Sequence, residues 1–331
     1  MDTDVGPHTP YIVDNLTALI RKARIASCIY VGSLGFEDRT LGALQSIVEL
    51  NKCQVIFLIP HGDSADTRGH RERTERQLLN RHRVSAMVQH HPLFLFDCIL
   101  TDPRDAIDRV VSILEQNPQV SYLIFDFSTM PTGILFPLFR QIWEKFSRNI
   151  IAAYSLPSEY TSEPLFFEVG EPFIVSGFQG NYGRSDQSSA WIPVLGFQSE
   201  TAVSIMKWGR YAKVLPIIAF PGYRAWYVDR VLHANKELLE HPEVERISYA
   251  SANNPGRTFT LVKKIMKLLP GYNVELSPLG PKPQSLGMCL VAIECNLRVV
   301  YAQPWAYNPN YSMGYRETYG YWLRKVKEVA S

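Results

Sequence analysis

The sequence predicts an α/β protein of parallel strands joined by crossover helices, with that pattern written twice along the chain. Three observations carry the prediction. First, five short β-branched or aromatic runs in the first half end in Gly, Pro, Asp or Ser: Cys28–Gly32, Gln54–Pro60, Pro92–Leu100, Ser121–Phe127 and Asn149–Leu156. Second, four segments of helical length separate them: Arg39–Leu50, Asp66–Arg83, Pro103–Gln116 and Ile134–Phe146. A two-residue turn cannot join parallel strands, so strands separated by helices imply parallel pairing through right-handed crossovers. Third, the motifs of this half recur in order in the other. Leu34-Gly35-Phe36 returns as Leu195-Gly196-Phe197, an offset of 161 residues, and Pro60 and Pro221 close equivalent apolar runs at the same offset. Asp102-Pro103 matches Asn254-Pro255 at an offset of 152, and Tyr154-x-x-Pro157-x-x-Tyr160 matches Tyr301-x-x-Pro304-x-x-Tyr307 at 147. The offset falls steadily, as it does when one copy of a duplicated unit has lost loop residues.

Each copy reads as a Rossmann-like lobe, a mostly parallel sheet of about five strands with flanking helices. The expected organisation is an N-terminal tail and helix over 1–24, a first lobe over 25–162 and a hairpin or linker over 163–190. A second lobe over 191–307 and an aromatic tail with a terminal helix over 308–331 complete it. Within these, Met1–Pro10 reads as a tail and Tyr11–Arg24 as an amphipathic helix. Phe166–Val169 and Phe173–Val175 read as short hairpin strands, and Trp322–Val329 as a basic helix. The aromatic strip of Tyr311, Tyr315, Tyr319, Tyr321 and Trp322 is expected to pack back over a lobe, the alternative being a surface that stacks bases or a partner.

Composition narrows the function classes. The 331 residues are 46% hydrophobic, enough for two buried cores. Thirty-four Lys and Arg against 32 Asp and Glu leave a net charge of +2, with no global pull toward nucleic acid or anionic membrane. The acidic, proline-containing start MDTDVGPHTP and the lack of long apolar runs lead to an expected cytoplasmic location without membrane partners. Cys28, Cys53, Cys98, Cys289 and Cys295 sit in apolar stretches with no C-x-x-C pair, which fits reduced buried thiols and neither a disulfide frame nor a zinc site. His90-His91 near Asp97 makes a poor metal site, because neighbouring strand residues point to opposite faces. No metal is predicted, and the cofactor is left unknown. The P-loop, G-x-S-x-G and H-E-x-x-H signatures are missing, and Gly32-Ser-Leu-Gly35 lacks the third glycine of a dinucleotide fingerprint. No standard catalytic motif remains, and a binding role is favoured over an enzymatic one.

Candidate site residues lie in polar loops that follow the strands, because ligands of open α/β sheets gather at the carboxyl ends. In the first lobe these loops are Gly32–Arg39, Pro60–Asp63, Thr101–Asp105 and Asp126–Gly133. In the second they are Gly196–Thr201, Pro221–Arg224, Ala252–Thr258 and Leu279–Gln284. Gly35 permits close backbone approach, and Arg39 lies in the same loop. Asp126 can accept from a ribose hydroxyl or base amino group, with strand-end turn chemistry as the alternative for Asp126, Ser128 and Thr129. Ser128 and Thr129 can hold phosphate or ribose oxygens, and Arg257 and Lys282 can neutralise phosphate. Pro281-Lys282-Pro283-Gln284 is read as the counterpart of Met130-Pro131-Thr132-Gly133, with Lys282 and Gln284 in a loop facing the crevice. Glu37 and Asp126 are the candidate acids should the protein process a nucleotide as a hydrolase or N-glycosidase; for Glu37 and Asp38 the alternative is a helix-dipole pair. The arginine-rich Asp66–Arg83 is read first as a solvated helix face with i,i+4 pairs and second as a nucleic-acid dock.

Asp126-Phe-Ser-Thr-Met-Pro-Thr-Gly133 is similar to the strand-end Asp-x-[Ser/Thr] with a downstream Gly of CARF-type sensor domains of prokaryotic antiviral systems, and Leu279-Gly-Pro-Lys-Pro-Gln284 resembles a divergent second copy. That resemblance implies a Rossmann-like nucleotide sensor, with two lobes of one chain forming what those sensors make by dimerising. The expected partners are a nucleotide or other phosphorylated small molecule and a protein partner or second copy of the chain. The remaining alternative is a structural subunit whose crevices are vestigial.

Overall fold

The computed structural model describes residues 11–62, 68–181 and 187–324. The chain divides into two compact units, Met1–Phe167 with Trp305–Ser331, and Glu168–Pro304. The tail expected over Met1–Pro10, Asp63 of the Pro60–Asp63 loop, the Asp66 start of the arginine-rich segment, and the part of the terminal helix beyond Arg324 lie outside the described residues.

The first unit runs β1 (Tyr11–Asn15), α1 (Leu16–Lys22), β2 (Ser27–Ser33), a 3-10 turn (Asp38–Leu41), α2 (Gly42–Ile47), β3 (Lys52–His61), α3 (His70–Met87), β4 (Leu93–Ile99), α4 (Arg104–Gln116), β5 (Tyr122–Asp126), α5 (Thr132–Lys145), β6 (Asn149–Ser155) and β7 (Glu159–Tyr160). Five of these strands form a parallel core in the order β4-β3-β2-β5-β6. Central β2 is buried on both faces, as the unbroken apolar run Cys28–Val31 requires. Helix α4 instead buries Ala106, Ile107, Val110, Val111 and Leu114 at helical spacing and exposes its charges.

Two expectations at the chain ends are corrected here. Tyr11–Arg24 is not one helix, because Tyr11–Asn15 forms a strand, and the Asn15 side chain accepts from the Thr17 N–H to start α1. Trp322–Arg324 is not helical either. Thr318–Arg324 is a strand paired antiparallel with β6 on one side and β1 on the other, extending the sheet to seven strands. Thr318, Gly320, Tyr321 and Leu323 are buried in this strand, which lies between β6 and β1 and so has both of its backbone edges paired.

The second unit contains β8 (Phe166–Ile174), β9 (Ser189–Leu195), α6 (Glu200–Gly209), β10 (Lys213–Val214), β11 (Ile217–Ala219), α7 (Tyr227–Ala234), α8 (Lys236–Leu239), β12 (Ser248–Ala250), α9 (Pro255–Met266), β13 (Asn273–Pro278), α10 (Lys282–Cys295) and β14 (Arg298–Tyr307). Phe166–Ile174 is one nine-residue strand at the sheet edge beside β14, where two hairpin strands were expected. The remaining order is β12-β11-β9-β13-β14, with parallel pairing throughout. Strand for strand this repeats the order of the first unit, as the repeated motifs predict. The chain is thus an α/β protein of two Rossmann-like units.

Candidate functional site

In this strand order the chain turns back between β2 and β5 in one unit and between β9 and β13 in the other. The loops after those strands flank the switch point where ligands of such sheets bind. The two units treat it differently.

In the first unit Asp126, Ser128 and Thr129 at the switch point are bonded within the unit, while the buried Ser33 hydroxyl at the end of β2 has no partner. Asp126, 3% exposed, closes β5 and accepts from the Tyr30 hydroxyl of β2 at 2.7 Å and from the Ser128 backbone N–H and hydroxyl at 2.9 and 2.5 Å. The Ser128 oxygen in turn accepts from the Ser155 N–H at 2.8 Å, so one network ties β2, β5 and β6 together. Burial raises the Asp126 pKa above the ordinary carboxylate value, opposed by the bonds from Ser128 and Tyr30. Thr129 donates to the Ser33 carbonyl at 2.8 Å and accepts from Thr40 at 3.4 Å. A side chain at Gly35 would meet Thr129 at ordinary contact distance, 3.7 Å.

Glu37 and Arg39 form a second closed cluster. Arg39 is 3% exposed, and its Nε and Nη2 reach the two carboxylate oxygens of Glu37 at 2.7 and 3.1 Å. Nη2 also donates to the Tyr311 hydroxyl at 2.8 Å and Nη1 to Tyr154 at 3.5 Å, while Ser312 donates to Glu37 at 2.8 Å. Burial pushes the Glu37 pKa up, but the Arg39 guanidinium and the bonds from Tyr311 and Ser312 outweigh it and hold Glu37 below its ordinary value. A carboxylate kept ionised and bidentate to a buried arginine is poorly suited to act as a general acid at neutral pH.

The chain itself covers this edge. Arg73 and Arg76 of α3 donate to the carbonyls of Tyr307 and Pro309 at 2.6 Å each, Arg76 also reaches Asn310 Oδ1 at 2.6 Å, and the Gly314 N–H bonds Asp38 at 3.2 Å. Ser312–Met313 pairs antiparallel with β7, and Tyr311 stacks on Tyr160. The 18-residue α3 buries only Asn80 and Val84 and is fastened by polar anchors: Gln77 to the Leu34 and Pro60 carbonyls, Asn80 to those of Gly35 and Glu37. Arg71 and Arg76 make i,i+4 pairs with Glu75 and Glu72, the first of the two readings of this segment. The aromatic strip therefore packs on the first unit.

In the second unit the two loops meet backbone to backbone. A Cβ at Gly196 would run into the Leu279 carbonyl oxygen, so glycine is what lets them touch. Strand β13 ends Leu276-Ser277-Pro278, and the Ser277 hydroxyl is used inside, accepting from Trp191 Nε1 and donating to the Val300 carbonyl, both at 2.8 Å. No acid replaces Asp126.

Around that closed point the edge is exposed. Phe220 and Trp226, in the loop after β11, are 56% and 52% exposed, and Arg224 lies between them. Arg230 rests over the Phe197 ring at 4.2 Å. Helices α6, α7, α9 and α10 each follow a strand of this sheet, so their N-termini share one edge. Arg257, exposed, is in the first turn of α9, whose start is capped by Asn254 accepting from the Arg257 N–H at 3.1 Å. Lys282 opens α10. It is not held in a loop, and the pairing of the two copies shifts by one residue: Pro281 matches Pro131, each an extended residue at the start of a 14-residue helix. Gln284 is fully buried, and its Nε2 donates to the Ala250 carbonyl at 2.9 Å instead of facing solvent.

The structure thus separates the predicted residues into Gly35, Glu37, Arg39, Asp126, Ser128 and Thr129 on one unit and Arg257, Lys282 and Gln284 on the other. Sequence reasoning missed Tyr30, Ser312 and the matched pair Asn80 and Asn235. Asn235 Nδ2 donates to the Gly196 carbonyl at 2.8 Å as Asn80 does to Gly35 at 3.0 Å. Extending the Leu-Gly-Phe repeat to its contacts would have exposed that pair. Among the described residues no group of three His, Cys, Asp or Glu could hold a metal ion, and no helix is long and apolar enough to cross a membrane.

No protein-family model matches the chain, and no curated protein does. Among solved structures it is similar to a periplasmic ribose ABC transporter protein from Conexibacter woesei, at 12% identity over 81% of this chain and 68% of that one, with a TM-score of 0.21. A likeness that weak carries no argument about fold or ligand.

Proposed function

We propose that the protein binds a nucleotide or related phosphorylated small molecule at the carboxyl edge of its second unit, and that occupancy controls a partner protein. The observation that carries this reading is the grouping on one sheet edge of exposed Phe220 and Trp226 with Arg224, Arg257 and Lys282. Aromatic faces stack on bases, at about 1–3 kcal/mol per base, and cations at helix starts attract phosphate. The motif resemblance to CARF-type sensors supports a role for that control in antiviral defence. The two acids of the enzymatic alternative, Glu37 and Asp126, are bonded within the first unit.

The test is to purify the protein, denature it and identify released small molecules by mass spectrometry, with an Arg257→Ala/Lys282→Ala variant alongside. A nucleotide present in the wild type and absent from the folded variant is expected. An empty wild type that also fails to bind a panel of mono-, di- and cyclic nucleotides would overturn the reading.

A further inference from the structure

The internal repeat identifies a set of polar atoms that the second unit leaves unsatisfied. Gln198, Thr201 and Asn235 occupy the positions of Glu37, Thr40 and Asn80 in the first unit, by the shared Leu-Gly-Phe offset and by the matched asparagine bond to its glycine. In the first unit the counterparts are bonded: Glu37 by Arg39 and Ser312, Thr40 by Thr129. In the second, Gln198 Oε1, Thr201 Oγ1 and Asn235 Oδ1 are buried with no hydrogen-bond partner. Thr201 is 5% exposed and Asn235 fully buried.

The substitutions account for the difference. Glu200 stands where Arg39 stands, a carboxyl side chain in place of the guanidinium whose N–H groups donate to Glu37. Among the described residues no hydroxyl bonds Gln198 Oε1 as Ser312 bonds Glu37. A buried oxygen without a partner costs about 1–3 kcal/mol, and here two lie in the Gly196–Thr201 loop and the third on Asn235, whose Nδ2 is bonded to the Gly196 carbonyl.

We infer that these three oxygens receive neutral hydrogen-bond donors of a bound ligand, hydroxyl or amino groups, at the start of α6. Phosphate is the poorer partner, since Gln198 Oε1 and Asn235 Oδ1 can only accept and an ionised phosphate offers them acceptor oxygens. The inference rests on the nucleotide reading and assigns the other end of the ligand, with phosphate at Arg257 and Lys282 and the sugar hydroxyls or base amino group at Gln198, Thr201 and Asn235.

The test is calorimetric titration of wild type and Thr201→Val with AMP, its 2′,3′-dideoxy analogue and IMP. Thr201→Val removes an unbonded hydroxyl and keeps shape, so folding is retained. AMP is expected to bind the variant about tenfold more weakly. If sugar hydroxyls are the donors, the dideoxy analogue loses that factor on the wild type and is indifferent to the variant; if the amino group is, IMP behaves so. Equal binding of all three nucleotides to both proteins would overturn the inference while leaving the nucleotide reading standing. If no nucleotide binds, that reading fails by itself, and a ligand-free crystal structure decides the inference. The three oxygens facing displaceable waters in one solvent-connected cleft support it, and their bonding to the protein's own donors overturns it.

Discussion

Two sheet edges of identical strand order meet opposite fates in this chain. The first is filled from within: Asp126 is bonded by Tyr30 and Ser128, Glu37 by Arg39 and Ser312, and Arg73 and Arg76 hold the segment 307–310 alongside. The second presents Phe220, Trp226 and cations at helix starts, and leaves Gln198, Thr201 and Asn235 unsatisfied. Motif richness and availability are therefore different properties. The unit with more acids, hydroxyls and arginines in its loops has used them on itself, because a buried polar group is stable only when bonded.

The comparison is broken most severely by Arg39→Ala, which leaves the Glu37 carboxylate buried and unpaired. A loss of about 3–5 kcal/mol in urea unfolding is expected, and Glu37→Gln combined with Arg39→Met should cost much less. Asp126→Ala strands the Tyr30 hydroxyl and the Ser128 donors, for an expected loss of about 2–3 kcal/mol. A loss near zero in either would mean that this edge is looser than described.

The pH dependence sharpens the point. Glu37 titrates below its ordinary value of 4.5, so its contribution is fully present above that value and lost as pH falls through the lowered one. Asp126 runs the other way. Its raised pKa favours the protonated form in the folded state, a contribution present below the ordinary 3.8 and lost as pH rises through the raised value. Acid unfolding followed by circular dichroism should begin at higher pH in the wild type than in Glu37→Gln, once each is normalised to its own neutral stability. The smallest effect is expected in the second unit: Thr201→Val should change stability by less than about 0.5 kcal/mol or raise it, because its hydroxyl bonds nothing.

The parallel strands and their repeat were legible because burial on both faces writes unbroken apolar runs, as in Cys28–Val31, and because Leu-Gly-Phe recurs in register. The added strand Thr318–Arg324 was not, since its mix of Tyr, Gly and Trp beside basic residues satisfies either a strand or a helix until its partners β6 and β1 are known. At the site, the residue types pointed to the right loops but not to their state. Nothing local in Glu37-Asp38-Arg39 announces that Ser312, 275 positions away, completes its bonding. Lys282 looked pinned between two prolines, yet Pro281 and Pro283 are also compatible with a helix start, where a missing N–H costs nothing, and α10 begins there.

Hydrogen–deuterium exchange on the full chain, with and without saturating nucleotide, tests the central claim most directly. The account predicts slowed exchange at 196–201, 221–224, 252–258 and 279–284, and no change at 32–39 and 126–133, where Glu37, Arg39, Asp126, Ser128 and Thr129 are already bonded. Protection confined to the first unit's loops would contradict it, because the edge described as filled by its own residues would then be the one that opens to the ligand.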